Sequence, residues 1–323
     1  MNKIPVGRVI GETFRFSFGR YFTLLGILWL PTLIFGALCY ALMQPFVADL
    51  ARAFQELTRH PASPGAQNMV DDAMASGLQS RLWLVQLLLM FFFVMVQVAM
   101  TKEILGLRKG PRFAYVAIGK ADLLAALSYV LVYALLYAAM IAAVIVGVLI
   151  GIVVVLAAGS SLQNFDARTM SGPLSAVFVA FAFVVELAVI FAMVRLSFLI
   201  APVAVAEKRI GLIRSWELTS GNFWRIVAVW LVTLLPLFFL ELALVVPLAM
   251  SIHEAARHGG ADPMARAEQV RTLLGSYIPY LPWLWLGGLA LSPIFYGLWL
   301  APAAFAYRAL TEKPQQLESL PTA

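Results

Sequence analysis

Long apolar stretches separated by shorter polar segments dominate the sequence. They cover residues 21–46, 82–101, 123–158, 174–206, 223–250 and 279–309. Each has about the 20 residues or more that a helix needs to cross a membrane, and a helix satisfies its own backbone hydrogen bonds there. The pattern predicts an all-α integral membrane protein, a bundle of six transmembrane helices. One polytopic domain is expected over residues 1–313, followed by a cytoplasmic tail at 314–323.

The third stretch is longer than one crossing needs. Asp122 and Asp166 enclose an uncharged segment that, as a single helix, would extend well beyond a hydrocarbon core of about 30 Å. Two crossings are the alternative. Residues 137–142 contain no Gly, Pro, Asn or charged residue that could turn the chain in the headgroup layer. This composition favours one long helix that projects into an aqueous compartment.

Composition agrees with a membrane location. The chain is 62% apolar with a mean hydropathy of +0.88, and only 12% of its residues are charged, against about 25% in soluble domains. Its net charge of +6 does not indicate a nucleic-acid partner, because the basic residues are not gathered on one exposed face. The single cysteine, Cys39, lies within an apolar stretch, so no disulfide or metal cluster is predicted.

The basic residues predict the orientation in the membrane. Fifteen Lys and Arg residues lie before span one, between spans two and three, between spans four and five, or after span six, and seven lie in the alternate segments. Cytoplasmic segments carry the excess of basic residues. Both termini are therefore expected in the cytoplasm.

Two segments that precede spans have the pattern of amphipathic helices lying in the headgroup layer. In the first, which begins at Pro5, the apolar face contains Val6, Ile10, Phe14 and Tyr21, and the charged face contains Arg8, Glu12 and Arg15. In the second, which follows Pro202, Glu207, Arg214 and Glu217 lie opposite Val205, Leu212 and Trp216, and only Arg209 falls on the wrong side.

These segments supply the candidate contacts with membrane lipids. The basic and aromatic candidates are Arg8, Arg15, Arg20, Arg214, Trp216, Trp224 and Arg225. Recognition of anionic lipid is one interpretation. The alternative is that the segments only anchor the bundle and set its topology.

A weak internal repeat has a period near 100 residues. Residues 14–22 read FRFSFGRYF and residues 216–224 read WELTSGNFW, and only Gly119-Lys120 is kept at the intermediate position. Residues 201–208, APVAVAEK, are likewise echoed by residues 301–308, APAAFAYR. The repeat predicts three similar helical hairpins, each with an interfacial lead-in. Chance similarity between apolar segments is the alternative.

The segments 201–207, APVAVAE, and 214–225, RSWELTSGNFWR, resemble the hallmark of a family of bacterial membrane domains. That domain is found attached to glycerophosphodiester phosphodiesterases and in stand-alone inner-membrane relatives. The resemblance implies a multi-pass protein of the bacterial inner membrane. It also implies that the membrane domain is not the catalyst, because hydrolysis in that family belongs to a separate soluble barrel, which this chain has no room for. No phosphodiesterase residue can therefore be carried over.

Polar side chains within the spans form a second set of candidates, since an ionisable group in hydrocarbon costs roughly 2.5–3.5 kcal/mol on insertion scales. The candidates for an intramembrane polar site are Glu186, Glu241, Gln86, Gln97 and Arg195. A shared cavity would suit a transporter, whereas hydrogen bonds to neighbouring helices are the structural alternative. Glu186 and Arg195 lie about 180° apart on a helix and should not pair with each other.

The sequence offers no catalytic residues, and no cofactor or metal site is predicted. His253 and His258 are five residues apart, whereas two histidines that bind zinc from one helical face are four apart. The predicted function is therefore a non-catalytic membrane protein that binds lipid or a protein partner of unknown identity. A transporter of a small molecule or lipid that uses the intramembrane glutamates is the alternative.

Overall fold

The structure is a computed structural model that describes residues 3–59, 78–108, 119–157, 173–258 and 280–312. Within these ranges the regular secondary structure is helical. The helices are α1 Val6–Gly19, α2 Tyr21–Arg59, α3 Leu78–Ile104, α4 Lys120–Ala157, α5 Pro173–Ser197, α6 Ile200–Glu207, α7 Leu212–Thr219, α8 Phe223–His258 and α9 Leu281–Thr311.

Six segments are long and apolar enough to cross a membrane. They are Tyr21–Phe46, Arg81–Ile104, Lys120–Val153, Val179–Glu207, Phe223–Ser251 and Leu286–Thr311. The prediction of an all-α, multi-pass membrane protein with six spans is confirmed. The charged and apolar residues of segments 48–80 and 251–276 predict that these segments are partly helical. Helices α2 and α8 do extend past their spans, to Arg59 and His258.

The long third stretch forms one continuous helix, α4, in agreement with the expectation from its uninterrupted apolar centre. Its start is capped, because the backbone N–H of Gly119 donates a 3.0 Å hydrogen bond to the Asp122 carboxylate. That carboxylate is buried in the first turn, where the N-terminal end of a helix stabilises negative charge. A helix of 38 residues is about 57 Å long and so exceeds the hydrocarbon thickness.

Span four is broken near its end, close to Pro202, one of the prolines that predict kinks in the apolar stretches. Helix α5 ends at Ser197 and α6 begins at Ile200. The break lies one turn before Pro202, whose ring would clash with the carbonyl of residue 198 in a continuous helix. Pro202 lies in the first turn of α6, where backbone N–H groups have no acceptor within the helix. Its lack of an N–H therefore costs no hydrogen bond there.

The amphipathic helix predicted after Pro202 is not continuous either, and that expectation is wrong. Helix α6 ends at Glu207, Lys208 adopts the left-handed conformation with φ 54°, and α7 begins at Leu212. The turn packs closely against α6, since a Cβ at Gly211 would lie 3.0 Å from the Ile200 Cα. Only glycine fits this contact without displacing the backbone.

The chain divides into two compact units. Unit 1 comprises Met1–Val6, Gly119–Ala228 and Ala306–Ala323, and unit 2 comprises Gly7–Ile118 and Val229–Phe305. In unit 1, α4 packs against α5 and α6, and α7 packs against both α5 and α6. The α4–α5 contact includes Gly147, whose position would bring a Cβ within 3.1 Å of the Phe181 ring. This glycine therefore serves helix packing, as its small size permits.

In unit 2, α2 packs against α3. The rings of Phe35 and Phe92 are stacked with centroids 4.8 Å apart, and Phe92 also meets Tyr296 edge-on at 5.8 Å. Leu24 and Leu28 of α2 are fully buried. Aromatic pairs of this geometry stabilise a core beyond the area they bury.

Candidate functional site

Helix α7 buries its small polar side chains and exposes two of its large apolar ones, while Leu212 at its start is buried. Ser215 and Thr219 are fully buried, whereas Ile213 is 76% exposed and Trp216 is 38% exposed. Basic and apolar side chains flank the helix and are exposed as well. We call the exposed set the α7 surface; it consists of Lys208, Arg209, Ile210, Ile213, Trp216 and Trp224. An outward apolar face beside basic residues is the surface that an interfacial helix presents to lipid.

The break between α5 and α6 explains why the hydroxyl face of α7 is buried. Such a break leaves backbone carbonyl and N–H groups without helical partners. The Ser215 hydroxyl donates a 2.9 Å hydrogen bond to the carbonyl of Arg195 and accepts one of 3.3 Å from the N–H of Leu199. The Thr219 hydroxyl donates to the carbonyl of Ser215 at 2.7 Å. The small face of α7 is thus held inward, and its large side chains face outward.

Arg195 links the end of span four to α7. Its guanidinium carbon lies 3.8 Å from the centroid of the Trp216 ring, and it donates a 2.8 Å hydrogen bond to the backbone carbonyl of Trp216. The Phe191 ring is 5.5 Å away on the same helix. Arg195 therefore finds its partner on α7 and not in Glu186, as the helical spacing predicts.

A cluster of charged side chains closes the end of α6. We call it the Glu207 cluster; it consists of Glu207, Arg209, Arg214, Glu217 and Tyr307. Glu207 pairs with Arg209, with Arg214 at 3.3 Å, and with the hydroxyl of Tyr307, which donates to it at 3.0 Å. Arg214 also pairs with Glu217 at 3.1 Å. Arg209, which the helical pattern placed on the wrong side, joins the cluster because the chain turns at Lys208.

The charge of Arg214 is well stabilised. Its hydrogen bond to Glu217, together with the contacts to Glu207, raises the pKa of the Arg214 guanidinium above its ordinary value. A raised pKa stabilises the folded protein at every pH below the ordinary value. Arg214 therefore contributes a pH-independent positive charge beneath the α7 surface.

A similar cluster lies in unit 2 at the end of α3. Glu103 pairs with Arg20 at 3.0 Å and with Arg108 at 3.2 Å. The two glutamates lie at the ends of spans two and four. Each is followed within five residues by a Gly-Leu pair, Gly106-Leu107 after Glu103 and Gly211-Leu212 after Glu207. Two spans thus end on a carboxylate that binds arginine from the segment after it.

Helices α1 and α7, which the sequence repeat aligns, share a second feature. Thr13 and Ser17 of α1 are fully buried, like Ser215 and Thr219 of α7, which occupy the corresponding positions. The second hydroxyl donates to the carbonyl four residues earlier, from Ser17 to Thr13 at 2.8 Å, as Thr219 does in α7. Both helices therefore bury a hydroxyl pair of the same spacing.

The residues that follow the two lead-in helices also correspond. Phe22 and Trp224 are 82% and 78% exposed. The preceding aromatic points inward in each case: the Tyr21 hydroxyl donates to the carbonyl of Ala290 at 2.8 Å, and the Phe223 ring lies 4.7 Å from that of Phe191. Two of the three repeat units thus agree in detail, while residues 109–118, before Gly119, lie outside the described residues.

The face of α1 that packs against the protein is not its apolar face. The pattern predicts an apolar face of Val6, Ile10, Phe14 and Tyr21, which an interfacial helix turns toward lipid, and these four side chains are half-buried. The fully covered positions are Val9, Thr13, Phe16 and Ser17. Apolar periodicity missed this face because half of it consists of hydroxyls. Phe16 packs edge-on against Phe305 at 5.8 Å, and Ser17 lies against Gly297.

The N-terminal segment is held in unit 1 by two side chains. The N–H of Ile4 donates a 3.0 Å hydrogen bond to the Asn222 side chain, and Arg225 donates one of 2.9 Å to the carbonyl of Ile4. Ile4 is fully buried. Arg225, a candidate for lipid contact, therefore uses at least part of its guanidinium to bind the backbone of the N-terminal segment.

No protein-family model, no curated protein and no solved structure matches the chain. The resemblance carried by residues 201–225 stays a prediction. That segment forms α6, α7 and the start of α8, and it contains the α7 surface and every member of the Glu207 cluster except Tyr307.

The intramembrane candidates differ in their surroundings. Glu186 of α5, in unit 1, and Glu241 of α8, in unit 2, both have exposed side chains. On α3, Gln97 is buried, as is Thr101 one turn later, whereas Gln86 is exposed. The polar side chains of span two therefore reach the interior only in its second half.

The remaining surface candidates are distributed over α1 and its end. Arg8 pairs with Glu12 at 2.8 Å, Arg15 is exposed, and Arg20 is held by Glu103. Trp216 and Trp224 belong to the α7 surface. Arg214 is half-buried and pairs with Glu207 and Glu217.

No group of three or more metal-ligating side chains occurs in the part of the chain that the structure describes. His253 is exposed on α8, and His258 ends that helix. His60, the third histidine, lies outside the described residues.

Sequence reasoning missed several residues that build the site, above all Ser215, Thr219, Asn222 and Tyr307. The repeat contained a usable signal for the first two, because Thr13 and Ser17 occupy the same positions before a glycine. Asn222 and Tyr307 had no local signal, since their partners are 218 and 100 residues away in sequence.

Proposed function

We propose that this chain is a non-catalytic membrane protein that binds anionic phospholipid at the membrane surface through the α7 surface and the corresponding face of α1. The membrane is the inner membrane of a bacterium, and both termini lie in the cytoplasm. The excess of Lys and Arg in alternate segments supports this orientation. The resemblance of residues 201–225 to a family of non-catalytic membrane domains supports the location and the absence of catalysis.

The observation that carries the proposal is the inverted arrangement of α7. A helix that folds in water turns its large apolar side chains inward, but here Ile213 and Trp216 of α7 are exposed, as is Trp224 just after the helix, while Ser215 and Thr219 are buried. Exposed tryptophan is favoured at the membrane–water boundary, where its ring is in the apolar region and its N–H in the polar region. Lys208 and Arg209 add positive charge at the same end.

Anionic lipid is the ligand that this combination fits best. A basic residue close to an anionic membrane surface contributes about 1 kcal/mol to binding, and the buried apolar area adds to this. Glu207 neutralises much of the positive charge of Arg209 and Arg214, so Lys208 is the basic residue of the α7 surface that is most available to a phosphate. The exposed Phe22, with Arg15 on the same lead-in, offers a second surface of similar chemistry in unit 2.

The experiment compares lipid retention in nanodiscs that contain zwitterionic phosphatidylethanolamine and anionic phosphatidylglycerol. Native mass spectrometry counts the anionic lipids that stay bound to the released protein. The variant combines Lys208→Asn, which tolerates the left-handed backbone, with Trp224→Ser. The matched control combines Arg52→Gln with Trp83→Ser, an exposed arginine and an exposed tryptophan of α2 and α3.

The wild type and the control are expected to retain phosphatidylglycerol. The α7 variant should retain roughly fivefold less of it from the loss of the Lys208 charge alone. Equal retention in all three proteins would contradict the proposal. A Glu186→Gln plus Glu241→Gln variant tests transport separately. A small molecule that co-purifies with the wild type and is lost in that variant would favour a transporter.

A further inference from the structure

Glu186 is an outward-facing carboxyl within a transmembrane span. It lies on α5 inside the segment Val179–Glu207, its side chain is exposed, and no residue in the described ranges donates a hydrogen bond to it. Lipid tails surround this position in a membrane, and they offer no donor. A carboxyl at this depth is stabilised only by another polar group.

The residues around Glu186 form a continuous outward seam along α5. The seam contains Val179, Ala182, Glu186, Ile190 and Met193, all of which are exposed. Their spacing of three, four, four and three residues places them within about 40° of Glu186 on one side of the helix. One polar residue in an otherwise apolar contact surface can set the register of a helix pair.

The contacts that α5 makes within unit 1 leave this seam free. Phe181 is the residue that meets Gly147 of α4, and it lies about 140° around the helix from Glu186. The contact with α7 is confined to the end of α5, at Phe191 and Arg195. Arg195 is therefore already engaged by Trp216 and is not the partner of the carboxyl.

We propose that the seam of α5 is a dimer interface that binds the same seam of a second copy of this chain, with Glu186 of each copy hydrogen-bonded to the other. Two copies inserted in the same orientation are related by a two-fold axis along the membrane normal, which brings identical residues together at the same depth. A carboxylic acid can donate one hydrogen bond and accept another. Glu186 is thus self-complementary and needs no partner of different chemistry.

The experiment uses disulfide cross-linking in membranes before detergent is added. Cys39 is the only cysteine, so Cys39→Ser gives a cysteine-free background. Ala182→Cys and Ile190→Cys each place one cysteine on the seam, one turn before and one turn after Glu186. Ala188→Cys is the matched control, because it is exposed on the same helix but lies about 200° from Glu186. Two cysteines form a disulfide only when their Cα atoms approach within about 7 Å.

Cross-linked dimer is expected from Ala182→Cys and Ile190→Cys and not from Ala188→Cys. In the Ala182→Cys background, Glu186→Leu should weaken the dimer roughly three- to thirtyfold, the range for interhelical hydrogen bonds in membranes. Glu186→Gln should retain it, because an amide also donates and accepts. Equal cross-linking at positions 182 and 188, or a wild type that is monomeric in nanodiscs by mass photometry, would overturn the interface. A Glu186→Leu variant that dimerises like the wild type would overturn the role of the carboxyl.

Discussion

Arg195 lies over the indole ring of Trp216, with the guanidinium carbon 3.8 Å from the ring centroid, and it donates a 2.8 Å hydrogen bond to the backbone carbonyl of the same residue. The ring contact depends on the Trp216 side chain, while the hydrogen bond needs only its backbone. Substitution of the side chain can therefore separate the two interactions. Together they fix α7 on the end of span four and keep Ile213 facing outward.

Trp216→Leu should lower the free energy of unfolding by about 0.5–2 kcal/mol, the range for a cation–π contact. Arg195→Lys should also destabilise, because lysine cannot present the planar, multiply donating head of arginine. Steric trapping in detergent micelles measures these free energies. A double-mutant cycle of Arg195→Met and Trp216→Leu gives the coupling energy between the two side chains. Trp224→Leu is the control. An equal loss for Trp216→Leu and Trp224→Leu would show that Arg195 does not stabilise α7 through the ring.

Tyr307→Phe should destabilise unit 1 by about 1–3 kcal/mol, because it removes a hydrogen bond to a charged acceptor, the Tyr307 hydroxyl to Glu207 at 3.0 Å. Thermal unfolding in detergent checks the direction. Tyr296→Phe on the same helix is the control, since no described residue is bonded to the Tyr296 hydroxyl. In the Glu207→Gln background the effect should fall to about half, because glutamine still offers an acceptor but without the charge. Similar melting temperatures for the two phenylalanine variants would contradict the contact.

The number and position of the spans could be predicted from the sequence because hydrocarbon imposes a length and a composition on every crossing. The single helix α4 followed from the same argument. The charged partners of Arg214 were also recognisable, since Glu207 and Glu217 share its helical face even though Lys208 interrupts the helix.

Contacts between distant segments could not be predicted in this way. The packed face of α1 was not predicted, because periodicity counts apolar residues, whereas Thr13 and Ser17 are buried with their hydroxyls bonded to the helix itself. The break before Pro202 has a local cause, since a proline within the apolar stretch predicts a kink there. The partners of Asn222 and Tyr307 depend on tertiary packing and leave no trace in the local sequence.

Asn222→Ala should release the N-terminal segment. The buried N–H of Ile4 would lose its acceptor, which costs about 1–3 kcal/mol, so the amide should exchange with deuterium roughly five- to hundredfold faster if local opening controls exchange. Hydrogen–deuterium exchange of a peptide containing Lys3 and Ile4 reports this directly. Arg225→Met removes only the bond to the Ile4 carbonyl and should have a smaller effect. Unchanged exchange in Asn222→Ala would contradict the capture of this segment.

Gly297→Ala should destabilise unit 2 because α1 approaches α9 closely at this point. A Cβ at residue 297 would lie 2.5 Å from the Ser17 Oγ and 2.8 Å from its Cβ, and overpacking of this kind costs about 1–3 kcal/mol. Gly288→Ala is a matched control on the same helix, since nothing lies within 4 Å of its added Cβ. It should be neutral or stabilising by about 0.5–1 kcal/mol, because alanine favours a helix over glycine.

A second variant separates the close contact from a general effect of substitution on α9. Ser17→Gly removes both atoms that the new Cβ would meet most closely, so it should recover much of the stability lost in Gly297→Ala even though it destabilises α1 by itself. Thermal unfolding of the single and double variants in detergent gives the coupling between the two positions. If Gly297→Ala melts like Gly288→Ala, or if the two substitutions are simply additive, Ser17 does not rest against α9. The face of α1 that contains Thr13 and Ser17 would then not be the face that packs against α9.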